Sequence, residues 1–375
     1  MLAIEHIDTR NRAHVERFVR LPYRLYASHP CWVPPPLGDA RLLLNRDKHP
    51  YYTHSDADFF IVSRDGRAVG RIAALENRAY NRYHNTRQAQ FYCFDAEDDA
   101  EAARLLFETV FEWARRRGLN RVVGPKGFGP LDGYGVLVEG FEHRQLMTMM
   151  NYNYPYYPAL VEGAGFRKEV DFVSCYIDAQ QFRLPERVHA IARRAAERSG
   201  LRVLRFTSKR EAVKWAPRIA EAYNRAFVNN WEYYPLAWPE IKLVLDTVLL
   251  LADPRLIKII AHGERAVGFL FAFPDVSAAL QRAKGRLFPF AIVDVLIEMR
   301  RTKWVAFNGA GILPEYHGRG GNALLYSEME QTLREFRFQH GDLTQVAETA
   351  TQMRADLENL GGRPYKNHRV YARDV

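Results

Sequence analysis

The chain has little cysteine: Cys31, Cys93 and Cys175 are its three, and they stand far apart. Three scattered thiols exclude a disulfide framework and, by themselves, a zinc cluster. No apolar run approaches the roughly 18 residues that cross a bilayer as a helix, so no membrane-spanning helix is expected. The N-terminal stretch MLAIEHIDTRNRAHVERF is charged throughout and lacks the apolar core of a secretory signal. These absences point to a cytoplasmic protein. There is no basic block of five or more, although Lys and Arg outnumber Asp and Glu by 53 to 44 and leave a net charge of +9. Such an excess suits nucleic acid, an anionic membrane surface or an anionic small molecule. Arginine is spread along the whole chain, with neither zinc-finger spacing nor a helix-turn-helix pattern, so no nucleic-acid partner is expected.

What is present is an ordinary globular composition, 47% hydrophobic and 26% charged, with aromatics raised to 13%. A length of 375 residues allows two or three domains. The most informative stretch is Gly311–Met329, GILPEYHGRGGNALLYSEM. The apolar run Trp304–Phe307 reads as a strand, and Pro314 stops it because proline cannot donate to a ladder. Gly318, Gly320 and Gly321 follow, with Arg319 among them, and then Leu324, Leu325, Met329 and Leu333 at helical spacing. A strand, a glycine-rich turn and a helix N-terminus make a place for an anion: glycine lets the backbone approach closely, and the first free helix N–H groups point at the charge. A Walker loop is excluded because Gly321-Asn322-Ala323 stands where Gly-Lys-Ser/Thr is needed. A dinucleotide fingerprint is excluded by the Pro314–His317 spacer between strand and glycines.

Strands are expected at 59–63 and 68–75, joined by a Gly66 turn, at 89–94 and at 121–123, with an amphipathic helix over 101–117. Residues 1–58 read as helix, then as loop around Pro34, Pro35 and Pro36. A second set repeats the first in kind: a helix over 209–228 broken near Pro217, a helix over 239–251, strands at 256–261 and 266–273, and the glycine turn with its helix. Val69-Gly70 and Val267-Gly268 occupy matching places in the two sets. A duplicated α/β unit follows, with a boundary near 180–200.

The string Pro314, His317-Gly318-Arg319-Gly320-Gly321-Asn322 after an apolar strand resembles the acetyl-CoA signature of the GNAT acyltransferase superfamily, with His317 in place of its Gln/Arg and Asn322 in place of its last small residue. The resemblance implies two tandem GNAT-like lobes of α/β class, each a mixed, mostly antiparallel sheet flanked by helices. Residues 1–185 would form a degenerate N-terminal lobe and 186–375 the acyl-CoA-binding lobe. It implies that Ile312, Leu313, His317, Gly318, Arg319, Gly320, Gly321, Asn322 and Ala323 meet the coenzyme. It also implies that backbone N–H groups near Gly311–Leu313 polarise the thioester carbonyl. The matching turn of the first half, Phe94–Asp99, has no glycine and four carboxylates, which repel a pyrophosphate, so one coenzyme per chain is expected. Trp32-Val33-Pro34-Pro35, Met150–Tyr157 (MNYNYPYY) and the glycine turn together resemble a bacterial family similar to the bacterial ceramide synthases, which acylate a sphingoid base.

Amine acylation needs a base for the ammonium and donors for the thioester carbonyl. The superfamily's tyrosine acid is absent, since Leu357 stands at its place, and 304–313 holds no carboxylate. The remaining candidates are Glu348, Glu315 and His317, with Tyr152 in the aromatic stretch. That stretch, 147–157, reads as a packed loop or as the lining of an acceptor pocket. The segment 275–303 carries apolar residues bracketed by cations and reads as a buried insertion or as a peripheral membrane contact. The expected reaction is acyl transfer from acyl-CoA to an amine, without a metal. The rivals are a non-catalytic acyl-CoA or lipid-binding protein and, on charge alone, a nucleic-acid binder. Oligomeric state has no signature in the sequence.

Overall fold

The computed structural model describes residues 1–147, 149–228, 230–251 and 253–375. Thr148 of the aromatic stretch lies outside the described residues. In chain order the first elements are β1 (Leu2–His6), α1 (Arg12–Leu25), α2 (Leu37–Leu42), β2 (Asp56–Arg64), β3 (Arg67–Glu76) and α3 (Arg78–His84). Then come β4 (Gln88–Ala96), α4 (Ala100–Arg116), β5 (Arg121–Gly124), β6 (Val136–Glu139), α5 (Tyr157–Gly163) and β7 (Arg167–Asp178). The chain continues with α6 (Glu186–Arg198), β8 (Leu201–Arg205), α7 (Lys209–Ala226), α8 (Trp238–Leu251), β9 (Ile257–His262) and β10 (Arg265–Pro274). It ends with α9 (Ser277–Ala283), α10 (Ala291–Arg301), β11 (Trp304–Ile312), α11 (Gly321–Glu335), β12 (His340–Ala347), α12 (Thr351–Asn359) and β13 (Arg363–Asp374).

Two compact units result, and both are discontinuous. The first gathers Met1–Val173, Val276–Leu296 and Lys366–Val375; the second gathers Ser174–Asp275 and Ile297–Tyr365. Each contains the same run of strands. In the first, β1, β2, β3 and β4 pair antiparallel in turn, and β4 pairs parallel to β5 across the crossover helix α4. In the second, β8, β9, β10 and β11 do the same, and β11 pairs parallel to β12 across α11. The register repeats as well: Gly70 faces Ala96 as Gly268 faces Ile312. At the first of these places a Cβ would lie 2.9 Å from Leu106 Cδ1 of α4, so a larger residue there displaces that side chain.

The first unit is built on α4. Asp99 caps it by accepting from the Ala102 N–H, and Ala103, Leu106, Phe107, Val110, Phe111 and Ala114 form its buried stripe. Phe107 sits within 4.6 to 5.2 Å of the Phe94, Phe91 and Phe166 rings, so truncating it to Ala should cost about 3–5 kcal/mol. In the second unit the α7 end stacks Tyr223 on Phe269 of β10, with Phe227 edge-on.

Three local expectations differ from what is observed. α7 runs unbroken through Pro217, because the proline forfeits a single main-chain bond while the buried face around it, Ala212, Ala216, Ile219 and Ala220, stays in place. The N-terminus opens with strand β1, whose short alternation is hidden by Glu5 and His6. β6 was unmarked because its four residues are held by pairing to β13, far away in sequence.

One buried group makes the stability of the first unit depend on pH. His368 is 1% exposed and donates from Nε2 to the Asn151 carbonyl at 3.0 Å. Burial pushes its pKa down from 6.5 to about 4. The folded pKa lies below the unfolded one, so the unfolded chain takes up the proton first and stability rises with pH between about 4 and 6.5. A shift of this size corresponds to about 3 kcal/mol across that window. Asp132, whose carboxyl burial pushes up to about 6, acts with the opposite sign between pH 4 and 6 and offsets part of it. Urea unfolding followed at several pH values should therefore show that His368→Gln flattens the rise above pH 6. An unchanged slope in the variant would mean that His368 does not titrate this way.

Candidate functional site

Parallel strands β11 and β12 hold register from Trp304 opposite His340 to Phe307 opposite Leu343. The register ends there, although β11 continues to Ile312 and β12 to Ala347. The two strands therefore part. On its other edge β11 stays paired to β10 through Ala310, Gly311 and Ile312, after a bulge between Phe307 and Ala310 where Gly309 has φ +111°. A bulge bends its strand and re-aims the groups beyond it. The stretch Gly309–Ile312 thus presents an edge that does not pair with β12.

The turn that follows is held by its own backbone. The Leu313 N–H donates to Val267 O at 2.9 Å, and a short helical turn spans Pro314–Tyr316. The Nε2 of His317 donates to Ile312 O at 3.0 Å, which closes the turn on the strand end. Tyr316 is buried against His262, with its hydroxyl 3.0 Å from Nδ1, and Arg319 lies over the Tyr316 ring at 5.0 Å. Arg319 has no carboxylate partner among the described residues. Helix α11 starts at Gly320 in the left-handed conformation, φ +82°, with no side-chain cap and no acid in its first turn. Gly321, Asn322 and Ala323 therefore carry N–H groups that no side chain caps, and Asn322 is exposed. This is the arrangement that accepts a phosphate.

The equivalent place in the first unit is occupied by the protein itself. Register between β4 and β5 ends at Gln90 opposite Val123, while β4 runs on to Ala96. The Glu97 N–H donates to Val69 O, matching Leu313 to Val267. Tyr157 Oη accepts from the Ala96 N–H at 2.8 Å, and Tyr156 Oη donates to Ala96 O at 2.8 Å. The turn is shorter than expected, since Phe94–Ala96 belong to the strand and Glu97–Asp99 alone make the connection. Asp99 caps α4 and takes a two-pronged contact from Arg64, which also reaches Glu101. Asp95 turns inward to Arg71 and to the Tyr26 hydroxyl.

The candidates for proton transfer fall in different settings. Glu315 receives Arg225 at 2.7 Å and Arg265 at 2.9 Å. Its own backbone N–H, with these arginines, holds its pKa below the ordinary value. A carboxylate so stabilised is a weak proton acceptor. Glu348 is half-buried in the turn directly after β12, at the end where β11 and β12 have parted. Tyr152 belongs to the first unit, where its hydroxyl donates to Phe141 O at 2.8 Å and burial raises its pKa, so it keeps its proton. Leu357 is buried on α12. The sequence reading passed over Asp342, which is fully buried on β12, where Tyr365 Oη and Thr344 Oγ1 donate to it. An acid between Gly341 and Leu343 in an apolar strand was the available signal. Among the described residues there is no cluster of three or more His, Cys, Asp or Glu that could hold a metal.

The glycines of the turn differ in what surrounds them. A Cβ on Gly318 meets nothing, so Gly318→Ala costs the left-handed φ of +75° alone, about 1 kcal/mol. A Cβ on Gly320 lies 2.8 Å from Ala195 Cβ of α6, so Gly320→Ala should cost about 2–3 kcal/mol. Urea midpoints rank the two; equal losses would mean that α6 is not packed tightly on the turn.

No protein-family model matches the chain. It is 27% identical over 375 residues to a bacterial ceramide synthase of Caulobacter vibrioides, covering 97% of this chain and 96% of that one. It is 23% identical over 381 residues to the YghO protein of Escherichia coli, covering 97% of this chain and 94% of the other. Among solved structures, a tandem GNAT protein from the clavulanic acid biosynthesis pathway superposes over 100% of this chain and 98% of its own, with a TM-score of 0.57 at 12% identity. A GCN5-related N-acetyltransferase from Sphaerobacter thermophilus covers 100% of this chain, with a TM-score of 0.51 at 14% identity. With the duplicated strand order, the parted strands and the uncapped turn, these likenesses establish that the chain has the tandem GNAT fold.

Proposed function

We propose that this protein transfers an acyl group from acyl-CoA to an amine by direct attack, using one coenzyme site per chain. The observation that carries the reading is an asymmetry between two copies of one device. The strand–turn–helix of 304–335 is left open and uncapped, while that of 88–116 is closed by Asp99, Tyr156 and Tyr157. In this reading the duplicated sequence divides near 185/186. The amides of Gly318–Ala323 cradle the pyrophosphate, with Arg319 beside it. Ile312 and Leu313 border the pantetheine, and backbone N–H groups around Gly311 polarise the thioester carbonyl. His317 fastens the turn through Ile312 O.

Glu348 is the proposed base, since it stands at the open end of β12 and Glu315 is committed to two arginines. Its carboxylate would take the ammonium proton; the neutral amine nitrogen would then attack the polarised carbonyl, and as the C–S bond breaks the departing thiolate would take the second nitrogen proton, leaving amide and coenzyme A thiol. The proposed acceptor is a long-chain, sphingoid-type amine, supported by the relative named a bacterial ceramide synthase.

Asn322→Glu separates binding from folding. A carboxylate in the first turn of α11 favours the helix by about 0.3–1 kcal/mol but opposes a phosphate. Calorimetry should show coenzyme A affinity falling about tenfold or more, the loss of one charge-assisted contact, while the thermal midpoint holds or rises. Thiol release from acyl-CoA should require an added long-chain amine, and Glu348→Gln should slow it by about 100-fold with coenzyme affinity kept. Tight binding without thiol release to any amine would favour a non-catalytic acyl-CoA-binding protein. Unchanged affinity in Asn322→Glu would remove the turn from the site.

A further inference from the structure

Large apolar side chains are seldom exposed in clusters on a soluble protein. Among the described residues, eleven are exposed, and five of them fall between 288 and 297: Phe288, Phe290, Val293, Leu296 and Ile297. Phe288 is 78% exposed and Phe290 85%. They stand together in the loop that leads into α10, where the Val293 N–H donates to Phe290 O at 3.2 Å. Val293, Leu296 and Ile297 are spaced at i, i+3 and i+4 and so share one face of α10, with Arg300 one turn further along the same stripe. Val295, on another face, is buried. The helix therefore has a committed inner side and an apolar outer side.

The base of this segment is firmly placed, so the exposure of its tip is not general looseness. The Met147 N–H donates to Ser277 Oγ at 2.7 Å, and the Gln281 side-chain amide donates to Pro30 O at 2.8 Å and Trp32 O at 2.9 Å. Leu37 N–H donates to Gly285 O at 2.9 Å. Arg282 forks onto Asp294 at 2.8 and 2.9 Å and ties the end of α9 to the start of α10. All of these contacts lie within the first unit.

Charge accompanies the apolar tip. From 282 to 303 the sequence carries six cations, Arg282, Lys284, Arg286, Arg300, Arg301 and Lys303, against Asp294 and Glu298. Arg282 is spent on Asp294. Lys284 and Arg286, just before the phenylalanines, and Arg300 and Arg301, at the end of α10, are exposed and have no carboxylate partner among the described residues. Two exposed aromatic rings, an apolar helix stripe and flanking cations fit an interface of hydrocarbon beneath negative headgroups. Among the described residues no helix is long and apolar enough to cross a membrane, so the contact would be with the surface.

We propose that Phe288, Phe290 and the Val293–Leu296–Ile297 face of α10 insert into the surface of an anionic lipid bilayer, with Lys284, Arg286, Arg300 and Arg301 on its headgroups. This goes beyond the acyl-transfer reading and does not depend on it.

The test is co-sedimentation of the full chain with vesicles of phosphatidylglycerol and phosphatidylethanolamine, against vesicles of phosphatidylcholine alone. Binding to the anionic vesicles is expected, weakening as salt is raised. Phe288→Ser with Phe290→Ser should lower the partition coefficient by about tenfold or more for the two rings together. Lys284→Gln with Arg286→Gln should remove much of the salt dependence. All four positions are exposed, so both variants should keep the wild-type thermal midpoint and coenzyme A affinity, and these are measured alongside. Equal binding to both vesicle types, or anionic binding that the phenylalanine pair does not change, overturns the proposal. So does an absence of vesicle binding, and if sedimentation then shows self-association that the phenylalanine pair abolishes, the patch belongs to a second copy of the chain.

Discussion

Two parallel strands that stop pairing part-way leave main-chain donors and acceptors facing a gap, and buried groups of that kind must find partners. This constraint arises twice here, because the same strand order is built twice. β4 leaves β5 after Gln90, and β11 leaves β12 after Phe307. In the first case the chain supplies the partners: the hydroxyls of Tyr156 and Tyr157 take both polar groups of Ala96, and a helix-capping aspartate takes the N-terminus of α4. In the second case the strand ends in a glycine turn and an uncapped helix. One gap is filled by the protein's own tyrosines; at the other, the proposed coenzyme would bring anionic groups and an amide-bearing arm to do the same work.

The filled gap has a cost that explains its aromatic surroundings. Arg71 and Asp95 pair at 2.7 Å with little solvent, and such a pair is maintained only where further hydrogen bonds complete it. The Tyr26 hydroxyl donates to Asp95 and accepts from the Tyr157 hydroxyl, and the Phe18 backbone carbonyl accepts from Arg71. The Tyr26, Tyr154 and Tyr156 rings stack in succession, 5.1 and 5.5 Å apart. The tyrosine-rich stretch of the sequence thus has a structural occupation inside the first unit, and Tyr152, held on Phe141 O, belongs to it.

The sequence made the strand–turn–helix legible because its signals are local: Pro314 ends a ladder, glycines permit positive φ, and Leu324, Leu325 and Met329 repeat at helical spacing. The duplication was legible for the same reason, through Val-Gly pairs at matching places. Features made by distant residues were not legible. Glu315 looked available until Arg225 and Arg265, 90 and 50 positions away, were seen to hold it. The segment 276–296 interrupts the second set of strands yet packs with the first unit, and no periodicity announces which surface a helix will choose. Apolar residues at 288–297 read as core or as membrane contact in sequence; Val295 is buried, while Phe288, Phe290, Val293, Leu296 and Ile297 are exposed.

The central claim is that one of the two gaps, and not the other, takes the coenzyme. Hydrogen exchange of the full chain, with and without coenzyme A, reads both at once. Slowed exchange is expected in the peptides covering Gly311–Leu313 and Gly318–Leu324, with no change in those covering Phe94–Ala103. Protection at Glu97–Ala103, or no protection at either turn under saturating coenzyme, would contradict it.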